Sequence, residues 1–184
     1  MGEFFGILFG VVLVGGAVFL MWRSWRRRTE RDAELTAYPV PADLSTPDID
    51  AEILYVATTF AETPLERLAV RGLAFRGAGR LEVHAEGVLL RIAGEVEPSF
   101  LPADRIVDAG AATYAIDRGV EPDGLVALTW IIAGTDPEAE PVQVDSYLRA
   151  RDPGDTGRII AAVHELAAWR PAPRPDAESE ITND

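Results

Sequence analysis

From Phe4 to Trp22 the chain holds only Phe, Gly, Ile, Leu, Val, Ala, Met and Trp, and Arg23, Arg26, Arg27, Arg28 and Arg31 follow at once. A helix rises ~1.5 Å per residue, so this run makes roughly 28 Å of uncharged rod, close to the hydrocarbon thickness of a bilayer. The segment 4–22 is therefore expected to be a transmembrane helix and the membrane an integral partner. A cleavable secretory signal would need basic residues ahead of the apolar run and small residues after it; here Glu3 precedes it and Trp22-Arg23 follow. All five flanking arginines lie on the C-terminal side, which keeps that side cytoplasmic. Trp22 and Trp25 fall where an aromatic belt would sit.

All seventeen basic residues are Arg, a bias that hints at a GC-rich bacterial genome. The expected location is thus a bacterial inner membrane, crossed once, with the C-terminal part in the cytoplasm. Beyond residue 31 the formal charge is −16, which argues against nucleic acid as a partner. No cysteine is present, so neither a disulfide nor a thiolate metal site is available. Pro39, Pro41 and Pro47 mark 23–48 as a basic juxtamembrane segment and linker, and the acidic, Pro-containing stretch 171–184 reads as a disordered tail. The remainder, 49–170, is long enough for one hydrophobic core.

Within it, Glu52 to Thr59 has the β-branched and aromatic composition of a strand. Thr63-Pro64-Leu65-Glu66 combines an N-cap, Pro at the first helical position and Glu three residues after the cap, predicting a short helix to Gly72. Leu81, Val83 and Ala85 alternate with Glu82 and His84, and Glu86-Gly87 then turns the chain back through Val88 to Ile92. Strands are expected near Pro98 to Leu101, Arg105 to Thr113, Leu125 to Ala133 and Val142 to Leu148. A final helix, capped at Asp152 or Asp155 and ending at Arg170-Pro171, carries Ile159, Ile160, Val163, Leu166 and Ala167 on one stripe. This order predicts a mainly β fold: a small antiparallel sandwich or partly open barrel of about seven strands, closed by a C-terminal amphipathic helix.

The Tyr55-Val-Ala-Thr-Thr59 strand, the Leu65 to Gly77 segment, the Leu81 to Arg91 hairpin and the closing helix together resemble a bacterial pleckstrin-homology-like (PH-like) domain. More narrowly, the chain resembles small single-span membrane proteins of high-GC bacteria that carry such a domain behind an N-terminal helix. The resemblance covers most of the chain and implies a fold rather than an activity. Related eukaryotic domains place basic residues that hold phosphoinositide headgroups after the first strand. In this chain Arg67, Arg71, Arg76 and Arg80 stand there, with Arg67 and Arg71 on one face of the predicted helix. Ion pairing with Glu62, Glu66 and Glu82 is the competing and favoured reading of those arginines.

No catalytic constellation stands out. His84, expected on the outer face of its hairpin, and His164, on the closing helix, are the only histidines, and none of the five serines lies in a nucleophile-elbow sequence. Both histidines read as ordinary surface or edge residues, not as members of a triad or zinc site. The acidic runs Asp48 to Glu52 and Asp136 to Glu140 lack the ligand spacing of an EF-hand and read as solvated loops. Gly6 and Gly10 form a small-x-x-x-small pair in the span through which two helices could pack as a homodimer.

The expectation is a non-enzymatic protein without cofactor that presents a PH-like binding or scaffolding module to an unidentified protein partner. The juxtamembrane arginines 23, 26, 27, 28 and 31 would contact lipid. The alternatives are an accessory subunit of a membrane transport or export complex, and a lipid-headgroup-binding module.

Overall fold

The computed structural model describes residues 2–115, 118–119, 124–134 and 141–168. Helix α1 (Gly2–Arg31) is followed without a break by a single 3₁₀ turn, Asp32–Glu34. The strands are β1 (Leu35–Thr36), β2 (Ile49–Phe60), β3 (Thr63–Arg67), β4 (Gly77–His84), β5 (Gly87–Ile92), β6 (Ser99–Pro102), β7 (Ile106–Ala112), β8 (Tyr114–Ala115), β9 (Arg118–Gly119), β10 (Leu125–Gly134) and β11 (Val142–Ala150); helix α2 (Pro153–Ala168) closes the described chain.

Nine strands form one antiparallel sheet in the order β1-β10-β11-β2-β4-β5-β6, with β3 added to β2 and β7 to β10. Alternation decides which face curls inward. Ala51, Ile53 and Tyr55 of β2, Val126, Leu128, Trp130 and Ile132 of β10, and Val88, Leu90 and Ile92 of β5 are all buried in one core, as period-2 burial on one side of a sheet requires. The ladder slips between Tyr147 and Leu148 against β2 and between Thr129 and Trp130 against β7. Such bulges bend the sheet into a half-barrel. Helix α2 covers the open side, with Ile159 and Val163 buried and Ile160, Leu166 and Ala167 packed on the same core. At its start the Gly154 N–H donates to Asp152 Oδ1 at 2.9 Å, so Asp152 is the cap.

The remaining gap between the sheet's two ends is bridged by a segment that the sequence suggested was linker. Leu35 and Thr36 pair with Gly134 and Ala133 of β10, and two residues later Tyr38 bridges Phe100 of β6. Farther on, Ser45 is tied to the β4–β5 turn: its N–H and hydroxyl donate to Glu86 Oε2 at 3.1 and 2.9 Å. The N–H of Asp48 donates to the Val83 carbonyl at 2.8 Å.

Three expectations are corrected. The helix over 63–72 is absent: Thr63–Arg67 is extended and pairs with the end of β2. β4 pairs only with Ile49 to Tyr55 of that twelve-residue strand, so the backbone groups beyond need another partner. The Leu68 N–H supplies one by donating to the Thr58 carbonyl at 2.9 Å. Secondly, His84 is not on a free surface but only 4% exposed. The segment around Ser45 lies over it, with its Nδ1 2.7 Å from the Ser45 carbonyl. Thirdly, Arg80 pairs with Asp50 rather than with Glu62, Glu66 or Glu82, because Asp50 and Arg80 lie on adjacent strands with the Glu52–Arg80 pair in register.

Along α1 the described side chains begin at Phe9; Phe9, Val12, Val18, Leu20 and Met21 are all at least 60% exposed. Among the described residues no helix is long and apolar enough to cross a membrane, and the expected span, Phe4 to Trp22, begins ahead of the first described side chain. Apart from its chain neighbours and the backbone of its own helix, Gly10 has no described atom within 4 Å of where a Cβ would stand. The surroundings of Gly6 and the side chains of Arg28 and Arg31 lie outside the described residues, as do the Asp136 to Glu140 loop, Arg170 and the tail 171–184.

Candidate binding surface

One end of the barrel is built around the chain between β2 and β4. Inner-face alternation in β10 and β11, with the β2 bulge that turns Thr58 to the face of Tyr55, places Tyr55, Thr58, Trp130 and Ser146, all fully buried, side by side. Trp130 Nε1 donates to Ser146 Oγ at 2.9 Å; Ser146 and Thr58 hydroxyls lie 2.7 Å apart, Thr58 and Tyr55 hydroxyls 2.8 Å apart, and the Tyr55 hydroxyl donates to the Leu73 carbonyl at 2.9 Å. The indole can only donate and the carbonyl can only accept. The chain therefore has one direction, Trp130 to Ser146 to Thr58 to Tyr55 to Leu73, with each hydroxyl donating once and accepting once. Burial pushes the Tyr55 hydroxyl pKa far up, so it stays a donor. The relay pins the 68–76 loop to the core. Sequence reasoning did not find it; the signal available was three hydroxyl residues at inward positions of apolar strands.

The candidate arginines scatter around this loop. Arg67 is half-buried and turned inward, its Nη2 donating to the Val56 carbonyl at 2.8 Å, and so contributes to the loop's anchorage rather than to an exposed cluster. Arg71 and Arg76 are exposed. Arg80 lies on the outer face of β4 with both Nε and Nη2 bonded to Asp50. With no helix, Arg67 and Arg71 share no helical face. Among the juxtamembrane residues, the Arg26 guanidinium lies 5.4 Å from the Trp22 ring centroid. Arg23 and Arg27 are exposed.

Among the described residues, grooves of about 460 Å³ each lie at two places. One runs between Thr36–Val40 and the loop residues Arg71, Glu97 and Pro98. The other lies on the outer sheet face, where the register sets Glu52, Arg80 and Arg91 in a row and Arg151 joins them by donating its N–H to the Glu52 carbonyl at 2.8 Å. Each guanidinium there has a carboxylate: Arg80 with Asp50, Arg91 with Glu82 at 3.6 Å and Arg151 with Glu52 at 3.7 Å. Arg80 in turn holds the Asp50 carboxyl below its ordinary pKa by hydrogen bonding. A balanced face of this kind suits exchange of ion pairs with a protein surface better than capture of a lone anion.

The two histidines have separate partners. The His84 ring meets the Ser45 carbonyl rather than its hydroxyl, with Glu82 3.4 Å from Nε2. His164 pairs with Asp108 at 3.1 Å on the exposed side of α2. Among the described residues no group of three or more His, Asp or Glu is placed to hold a metal.

A curled antiparallel sheet closed by a C-terminal helix is the architecture, and the profile of the bacterial PH domain-like family matches residues 34–164. The chain belongs to the bacterial PH domain-like family. The match begins at Glu34, one residue ahead of β1, so the closing strand lies within the PH-like unit. Some solved structures are similar to the chain at low identity. A chain of the 8S snRNP assembly intermediate is 10% identical, aligned over 82% of this chain and 97% of that one with a TM-score of 0.47. The PH domain of human KIAA0053 protein is 8% identical over 72% and 98%, with a TM-score of 0.44. No curated protein matches the chain.

Proposed function

We propose that this chain is a single-pass protein of a bacterial inner membrane, held by the apolar run Phe4 to Trp22 within α1, that presents its PH-like domain in the cytoplasm as a non-catalytic binding or scaffolding module. The observation that carries the reading is the helix itself. α1 runs thirty residues as one rod, and its described apolar side chains from Phe9 to Trp25 lie open. Water is a poor solvent for such a rod, and a bilayer is a good one. Arg23 to Arg31 on the domain side support the cytoplasmic orientation and give anionic lipid a partner.

For the module, the paired charges of the outer sheet face and the groove beside Arg71 support recognition of a protein. Homodimerisation through Gly6 and Gly10 is compatible with the open surroundings of Gly10. A C-terminal fusion to a reporter active only in the periplasm should be silent, and one to a fluorescent protein should light the membrane. Strong periplasmic activity overturns the orientation, and release of the protein by carbonate wash overturns the anchor. Co-purification from detergent then separates the roles. A soluble partner retained by the domain alone supports the scaffold, whereas a membrane complex lost on replacing the span supports an accessory subunit.

A further inference from the structure

The positive charge beyond α1 is gathered rather than spread. Residues 32–184 hold 12 arginines and 28 acidic residues. Four of those arginines, Arg80, Arg91, Arg149 and Arg151, stand at exposed outer positions across β11, β4 and β5, where the register sets beside them only Asp50, Glu52 and Glu82. This ladder is therefore +1, while the remaining 8 arginines and 25 acids of 32–184 amount to −17.

What the face offers to solvent is more positive than that count. The Glu82 side chain is only 17% exposed, between Arg91 and His84, and the Asp50 carboxylate is bonded by two nitrogens of Arg80. Arg91 and Arg151 are 53% and 72% exposed and approach Glu82 and Glu52 only to 3.6 and 3.7 Å, beyond hydrogen-bond length. A guanidinium carries five N–H donors in a planar fork that matches a carboxylate, so both forks have donors left for one from outside. Between them the groove is floored by Ala78, Gly79 and Ala93, whose side chains end at Cβ or sooner, and a partner backbone can come close. Across the strands the order is Arg151, Glu52, Arg80, Arg91. A uniform polyanion would press one of its charges against Glu52; a segment of mixed sign would not.

We propose that this face receives an acidic segment of a protein partner in which a basic residue interrupts the carboxylates. Arg91 and Arg151 take two of those carboxylates bidentately, and the basic residue meets Glu52. The proposal rests on the reading of the domain as a protein-binding module and gives that module its ligand class.

Full-length protein in phosphatidylcholine nanodiscs is titrated with fluorescent peptides built from Glu-Lys-Glu-Glu repeats, with polyglutamate and polyglutamine of equal length, and with an oligonucleotide. We expect the mixed peptide to bind best, and roughly tenfold more weakly when salt rises from about 50 to 300 mM. Arg91→Glu with Arg151→Glu should weaken it at least about tenfold. Arg71→Glu with Arg76→Glu, an equal change of net charge at exposed loop positions, should leave it unchanged. Glu52→Gln should raise polyglutamate to the affinity of the mixed peptide. Equal losses in the two double variants, or an oligonucleotide that binds as well as the mixed peptide, overturn the proposal. So does a soluble partner that co-purifies with the domain and is not released by Arg91→Glu with Arg151→Glu, an outcome that leaves the binding-module reading standing. A domain that retains no partner and binds no peptide overturns both.

Discussion

The N–H of Tyr38 donates to the carbonyl of Phe100 across 3.3 Å, and this single bridge joins the two ends of a sheet whose other neighbours are all linked by ladders. Because Thr36 is already paired with Ala133 on the far end, five residues from Asp32 to Thr36 and the two that follow tie α1, β10 and β6 together. Proteins that begin with a helix and continue into a barrel need not be beads on a string; here the connection is part of the barrel.

That closure should be measurable. A fragment beginning at Asp32 is expected to melt at higher temperature than one beginning at Ala42. Asp32→Ala, which leaves the Ala69 N–H without its acceptor, should cost about 1–3 kcal/mol in chemical denaturation. Asp32→Asn keeps an acceptor oxygen and should recover most of the loss. Equal stabilities for the two fragments would remove 32–38 from the fold.

The hydroxyl relay should behave as a unit. Ser146→Ala orphans Trp130 Nε1, and Tyr55→Phe orphans the Leu73 carbonyl and removes the acceptor of the Thr58 hydroxyl; each is expected to cost about 1–3 kcal/mol. Because they interrupt one chain, the double variant should lose less than the sum. Strict additivity in urea titrations would show that the links act separately.

Helix α2 is expected to be indispensable. Ile159 and Val163 are fully buried, so Ile159→Ala should cost about 2–5 kcal/mol, a large share of a domain's ~5–15 kcal/mol. Truncation before Asp152 should give an insoluble or molten fragment, while removal of 171–184 should leave the melting temperature unchanged. A cooperative transition in the shorter fragment would contradict the packing.

Acid should loosen the segment at Ser45. Its N–H and hydroxyl hold the Glu86 carboxyl below its ordinary pKa of 4.5 in the folded protein. A depressed folded value means the stabilisation is complete above that ordinary value and fades as pH falls through the folded one. Wild type should therefore melt higher than Glu86→Gln at pH 7, and the gap should close on acidification. A gap unchanged down to pH 3 would rule the carboxylate out as its source.

Much of the barrel was written in local pattern. The alternation of Leu81, Val83, Val88 and Leu90, the apolar run of β10 and the helical stripe of Ile159 and Val163 each determined an element, because side-chain periodicity follows backbone geometry wherever one face is buried. The membrane-length apolar run and its arginine flank were likewise legible without coordinates. Thr63-Pro64-Leu65-Glu66 had every local mark of a helix start and is extended, because the unpaired end of β2 is a stronger demand than a cap worth about 1 kcal/mol. His84 alternated as an outward residue and is buried, because the segment at Ser45, 39 residues away in sequence, lies across it. The candidate arginines were four neighbours in sequence; one turned inward, one paired with Asp50 on the adjacent strand, and two remained open. Local propensity acts over a few residues and could be read along the chain. Closure of the barrel by residues 35–38 and the relay from Trp130 to Leu73 are pairings between distant residues. Only the tertiary structure, which brings those residues together, could decide them.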